Sequence, residues 1–116
     1  MCAAGQAAAT CRPAAKAGAP AHRCGATRRL AALASAANLR LAPHLWAGAP
    51  AFAAGLHVSA ASPAAYILEY SLGANPMIHE LVEEDFAVLN GSLDIPDRPG
   101  LGITIRTDFV DRYRKA

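Results

Sequence analysis

Acidic side chains are missing from the first 68 residues; all nine Asp and Glu stand at Glu69 or later. A hard divalent cation such as Mg²⁺ takes carboxylate oxygens, so this stretch cannot build a magnesium site alone. Aromatic residues are scarce, at 6%, and much of the 53% hydrophobic fraction is alanine. A large buried side chain contributes roughly 1.5–3 kcal/mol and alanine far less. The first forty residues therefore have little with which to offset their ordering entropy. The three cysteines (Cys2, Cys11 and Cys24) are odd in number and match no zinc or redox spacing. They read as incidental thiols of a reducing cytoplasm, where the chain is expected to reside. No run is long and apolar enough to span a membrane, so no membrane partner is expected. The acid-free start carries alanine and arginine like a transit peptide, but it lacks both an amphipathic face and a secretory apolar core.

At 116 residues the chain is one small domain by length. Its net charge of +2 hides an asymmetry: residues 1–68 hold six bases and no acid, residues 69–116 five bases and nine acids. A basic half can signal nucleic acid. Here Arg12, Lys16, Arg23, Arg28, Arg29 and Arg40 are scattered among alanines without interleaved aromatics. That pattern is a solvated basic face rather than a nucleic-acid groove.

What is present begins after a low-complexity stretch, 1–24, with no apolar period and an expectation of disorder. Residues 27–37 predict a helix with Thr27 as its cap and Asn38 in the left-handed position that ends it. Leu39 to Ala42 predicts a buried parallel strand closed by Pro43. Residues 50–61 predict a helix with Pro50 in its first turn, Phe52, Leu56 and Ser59 on one face, and a stop at Ser62-Pro63. Tyr66 to Tyr70 predicts a second strand. Beyond it, Met77 to Val82 suits one or two helical turns. Asn90-Gly91 between Phe86–Leu89 and Ser92–Ile95 predicts a hairpin with a type I′ turn. Ile103-Thr104-Ile105 predicts a short strand, and Thr107 and Asp108 a last helix.

Within this order, Leu39 to Tyr70 reads strand, helix, strand, and each strand delivers an ionisable group: His44 after the first, Glu69 at the end of the second. In βα-barrels reacting groups sit at the carboxyl ends of strands, where loops leave them free to meet a ligand. Histidine titrates near neutrality, which suits proton exchange. An acid near burial at a strand end needs a partner. The bland readings are a packing histidine and a carboxylate paired to a loop. His57 reads as a boundary residue and Trp46 as a rim side chain. His79 with Glu80, Glu83, Glu84 and Asp85 holds metal-ligating types, but reads as an acidic helix end in water. Asp97 and Arg98 read as braces of the tail turn.

Three segments taken in order carry a resemblance: Leu41-Ala42-Pro43-His44-Leu45-Trp46, Leu68-Glu69-Tyr70, and Ile95-Pro96-Asp97-Arg98-Pro99-Gly100-Leu101-Gly102-Ile103. Together they resemble the carboxyl-terminal end of the enolase superfamily, in the mandelate racemase and muconate lactonising group, including sugar-acid dehydratases. The resemblance runs from about Arg23 to the end. It implies an α/β fold: the last part of a (β/α)7β TIM-type barrel, with residues 25–76 holding its last two strands and helices. Residues 77–116 would be a tail with hairpin and terminal helix that returns to a capping domain. The barrel would be incomplete.

The implied chemistry is removal of the proton α to a carboxylate of a hydroxy acid or sugar acid, assisted by Mg²⁺. Dehydration is the first expectation, racemisation or cycloisomerisation the second. By the resemblance His44 is the general acid/base, and Glu69 is an acid facing the substrate carboxylate. The partner is then a small-molecule carboxylate, and the parent enzyme a homo-oligomer. The family's orienting aspartate has no counterpart in Pro20–Thr27, and the strands bearing metal carboxylates and the lysine pair are absent. The chain alone is therefore expected to be inactive. A non-catalytic remnant or interaction fragment is the alternative from another class, and a small basic binding module the third.

Overall fold

The computed structural model describes residues 24–115. The expectation of disorder for 1–24 (apart from Cys24, which begins a helix), the thiols of Cys2 and Cys11, and half of the Pro20–Thr27 stretch lie outside them. The elements run α1 (Cys24–Ala36), α2 (Ala49–Ala60), α3 (Pro76–His79), β1 (Val88–Leu89), β2 (Ser92–Leu93) and α4 (Thr107–Tyr113).

Helix α1 starts before Thr27, so the threonine lies inside the helix and is not its cap. Ala26 favours helical backbone and nothing at Thr27 forces a break. The end of α1 is as the sequence predicts. Asn38 has φ 52°, Leu39 N–H donates to Ala34 O at 2.8 Å, and Asn38 N–H donates to Ser35 O at 3.1 Å. This is a Schellman closure with asparagine in the left-handed position. Helix α2 begins one residue early, at Ala49 after Gly48, and puts Pro50 at its second residue. No bond is lost there, because the first N–H groups of a helix have no partner inside it. Ser62 Oγ accepts from Ala64 N–H at 3.2 Å beyond its end.

The expected strands at 39–42 and 66–70 are a correction. They pair in parallel, but only at one bridge, Leu41 to Ala65. Leu41 N–H donates to Ala64 O at 2.7 Å and Tyr66 N–H donates to Leu41 O at 3.0 Å. A parallel strand in a barrel is held from both sides. Among the described residues each of these segments finds a neighbour on one side, and the ladder stops. Tyr66 and Ile67 are accordingly exposed, at 63% and 57%. Strand-like alternation survives from Leu41 to Trp46: Leu41, Pro43 and Leu45 are buried, His44 and Trp46 exposed.

The core gathers both halves of the described chain. Leu45, Ala49, Phe52 and Ala53 pack with Leu81, Val82, Phe86 and Phe109, and Leu68 and Tyr70 cover the cluster. Phe52 lies 4.9 Å, ring centre to ring centre, from both Tyr70 and Phe86. Helix α2 buries most of its circumference. Gly55 lets Leu45 close on it, since a Cβ there would lie 2.5 Å from Leu45 Cδ1. A smaller cluster of Ala31, Leu41, Val58 and Ala64 joins α1 to α2.

Asn75 caps α3 by accepting from Met77 N–H at 3.1 Å. The helix is shorter than expected because the tail captures the residues after it. Arg106 N–H donates to Leu81 O at 2.9 Å and Arg106 Nε–H to Val82 O at 3.1 Å. Val82 bridges Ile105 antiparallel, which is all that forms of the strand expected at 103–105. Arg106, not Thr107, occupies the cap position of α4, with no side-chain capping bond. The hairpin has the predicted register, Val88 to Leu93 and Leu89 to Ser92, and Asn90 and Gly91 take φ of 53° and 75°. Its strands are shorter than expected because Phe86 turns into the core.

Glu84 ties the tail down. Its carboxylate accepts from Thr104 N–H at 2.7 Å, from Thr104 Oγ1 at 3.0 Å, and from Arg98 Nη1 at 2.8 Å. The Thr104 N–H above all holds the Glu84 carboxyl below its ordinary value of 4.5; the Thr104 hydroxyl and the Arg98 charge add to it, while burial opposes. A carboxyl lowered on folding stabilises the fold fully above its unfolded value, and that stabilisation is lost as pH falls through the folded value. In urea titrations between about pH 6 and pH 3, wild type is expected to lose more stability than Glu84→Gln. Parallel acid limbs for the two proteins would contradict this.

Candidate active-site edge

The single parallel bridge sets the geometry of the site. His44 lies three residues beyond Leu41, and Glu69 four beyond Ala65. At about 3.3 Å per extended residue, two segments leaving one bridge in the same direction reach similar heights. The structure brings the two groups together: His44 Nδ1 and Glu69 Oε2 are hydrogen-bonded. Both side chains are 48% exposed, so Glu69 is open to solvent rather than near-buried as the sequence suggested. The reason is the unpaired outer side of its segment. Neighbouring Leu68 and Tyr70 point to the core and leave Glu69 between them facing out.

Two features beside this pair were not legible as site elements. Arg40 stacks on Tyr66, 4.6 Å from its ring centre, and joins the two segments diagonally across the bridge. The signal was present in the parallel pairing, which puts residue 40 opposite 64 and next to Tyr66, but no strand register can be read before the pairing is known. His79 is the second. It donates Nε2–H to Gly73 O at 3.2 Å, which leaves Nδ1 to accept from the Tyr70 hydroxyl at 3.5 Å. The loop after Glu69 is thereby pinned to α3. Burial raises the Tyr70 hydroxyl pKa, with the Asp85 charge adding. His57 donates Nε2–H to Leu101 O at 3.2 Å, a boundary residue as expected. Trp46 is exposed beside His44.

Among the described residues, no group of three or more His, Cys, Asp or Glu side chains is placed to hold a metal ion. Glu69 is engaged by His44 and Glu84 by Thr104 and Arg98, so the residues present do not fit a magnesium site. No helix of the described residues is long and apolar enough to cross a membrane.

Comparison with known proteins gives the family. Residues 14–109 match the family model described as Enolase C-terminal domain-like. The D-galactarolactone cycloisomerase of Agrobacterium fabrum is 33% identical over 95 residues, covering 75% of this chain and 25% of the relative. The D-galactonate dehydratase of Xanthomonas campestris pv. campestris is 36% identical over 90 residues, covering 72% and 24%. The solved mandelate racemase/muconate lactonizing enzyme of Jannaschia sp. CCS1 superposes with a TM-score of 0.66 at 35% identity, covering 76% of this chain and 22% of that one. The chain thus spans about a quarter of the length of the curated relatives it matches. With a family match over most of its residues and a βα arrangement that sets a histidine beside a glutamate, this mixed α/β chain belongs to the enolase superfamily, in its mandelate racemase and muconate lactonizing group.

Proposed function

We propose that this chain is the carboxyl-terminal edge of an enolase-superfamily active site that removes the α-proton of a sugar-acid or hydroxy-acid carboxylate. His44 is the acid/base group and Glu69 its neighbour in the site. Dehydration is the favoured outcome, with racemisation or cycloisomerisation second. The observation that carries the reading is the contact of His44 with Glu69 at the ends of two segments joined in parallel. The relatives named for D-galactonate dehydration and D-galactarolactone cycloisomerisation support the substrate class.

In this reading the barrel is incomplete. Residues 25–76 supply its last two strands and helices, and 77–116 the returning tail. Magnesium takes its carboxylates from the rest of the enzyme, and none of its chemistry is assigned to the residues described above. The intact enzyme is a cytoplasmic homo-oligomer. The isolated chain is inactive, because the described residues hold no cluster of groups able to bind a metal ion. Its exposed Tyr66, Ile67 and Leu72 are the surfaces that the remaining strands would cover.

The test is complementation. The chain is assayed on D-galactonate with Mg²⁺ alone, and again after co-expression with the Xanthomonas campestris enzyme lacking its last quarter. No turnover alone and measurable turnover in the pair is the expected result. Turnover by the chain alone overturns its inactivity. Failure in both assays favours a non-catalytic remnant, which the same exposed apolar edge would also fit.

A further inference from the structure

We propose that Asn90-Gly91 is a self-modifying site: the Gly91 amide nitrogen closes on the Asn90 side chain, and the cyclic imide opens to aspartate and isoaspartate. The chemistry needs only water and is independent of the enzymatic reading above.

The chain holds three asparagines, and the structure separates them. Attack requires a free, uncrowded backbone nitrogen on the residue that follows. Pro76 after Asn75 has no N–H, and Asn75 Oδ1 is held by Met77 N–H at 3.1 Å. Leu39 after Asn38 donates its N–H to Ala34 O at 2.8 Å, and its branched side chain crowds that nitrogen. Gly91 differs on both counts. The closing hydrogen bond of a two-residue turn comes from the residue after it, here Ser92 opposite Leu89, so the Gly91 N–H faces water. Nothing lies within 4 Å of the place a Cβ would take at Gly91, and Asn90 and Gly91 are both exposed. Ring closure turns the Asn90–Gly91 peptide out of the turn. Only two residue pairs hold this hairpin, and Val88 and Leu89 are exposed, so local opening costs little.

In the first step hydroxide takes the Gly91 amide proton. The nitrogen bonds to Asn90 Cγ, the Cγ–Nδ2 bond breaks, and the amide group leaves as ammonia with a proton from water. In the second step water cleaves the imide. Cleavage at Cγ gives aspartate and restores the main chain. Cleavage at the Asn90 backbone carbonyl gives isoaspartate, whose main chain runs through Cβ and Cγ. The extra carbon breaks the Val88–Leu93 and Leu89–Ser92 register.

The test incubates the full chain without denaturant at mildly alkaline pH and maps its peptides by chromatography and mass spectrometry. Asn90→Asp supplies the aspartate standard, and a synthetic peptide of residues 87–95 supplies the unhindered rate. Asn90 is expected to convert to both products at a rate within about tenfold of the peptide's, while Asn38 and Asn75 stay intact. Gly91→Ala strains the turn, since alanine disfavours the φ of 75°. It is nevertheless expected to react more slowly, because its methyl group crowds the nitrogen. An intact Asn90 in the folded chain overturns the proposal, whatever the peptide does. Conversion of Asn38 as fast as Asn90, or faster conversion in Gly91→Ala, overturns it equally.

Discussion

Replacing Phe52 by alanine is expected to unfold the chain. Phe52 is fully buried, with 0% exposure. Its ring is the meeting point of three parts of the sequence: its own helix, Tyr70 beside the site, and Phe86 before the hairpin. Removing a buried phenylalanine costs about 3–5 kcal/mol. Small domains have total stabilities at the low end of about 5–15 kcal/mol, and the neighbouring Ala49 and Ala53 cannot swell to fill the cavity. Urea denaturation followed by circular dichroism measures the effect. Phe52→Ala should show little or no folded baseline, whereas Leu72→Ala, at a side chain 86% exposed, should melt close to wild type. A Phe52→Ala midpoint near that of wild type would show that the cluster around α2 is not the core.

The second large effect is on turnover. In the complemented enzyme, His44→Ala is expected to lower kcat by about 10²–10⁴-fold, the range that a positioned general acid or base supplies. The loss should fall on kcat more than on KM, because in the proposed reading the imidazole works in the proton-transfer step and does not anchor the substrate. His44 is half exposed and outside the core clusters, so its removal should change stability by no more than about 0.5 kcal/mol. That separates a lost proton carrier from a lost fold. A variant that assembles normally and keeps kcat within a few-fold of wild type would remove His44 from the chemistry.

Local signals were legible in the sequence wherever a residue type alone decides backbone conformation. Asn38 ended α1, Asn90-Gly91 made the turn with its register, Ser62-Pro63 stopped α2, and Asp108 lies in the first turn of α4. The pairing of His44 with Glu69 was legible only as two strand ends expected to be neighbours. Their side-chain contact depends on the Leu41–Ala65 register, which no local signal states. The extent of the strands was not legible, because a ladder's length depends on neighbours on both sides and not on the apolar run itself. Caps were missed for a related reason. Thr27 and Thr107 are good capping types, but a helix starts where tertiary contacts let it, and Arg106 was already committed to Leu81 and Val82. The Glu84 hub also escaped the sequence. Its partners, Arg98 and Thr104, lie 14 and 20 residues away, and the neighbouring acids Glu80, Glu83 and Asp85 compete for the assignment.

Release of label from an α-deuterated sugar acid tests the proton-transfer role of the His44–Glu69 edge most directly. The complemented wild-type enzyme is expected to pass deuterium from the α-carbon to water. The lone chain and the complemented His44→Ala enzyme are expected to release none above buffer. Equal release with and without the His44 imidazole would contradict the role assigned to it.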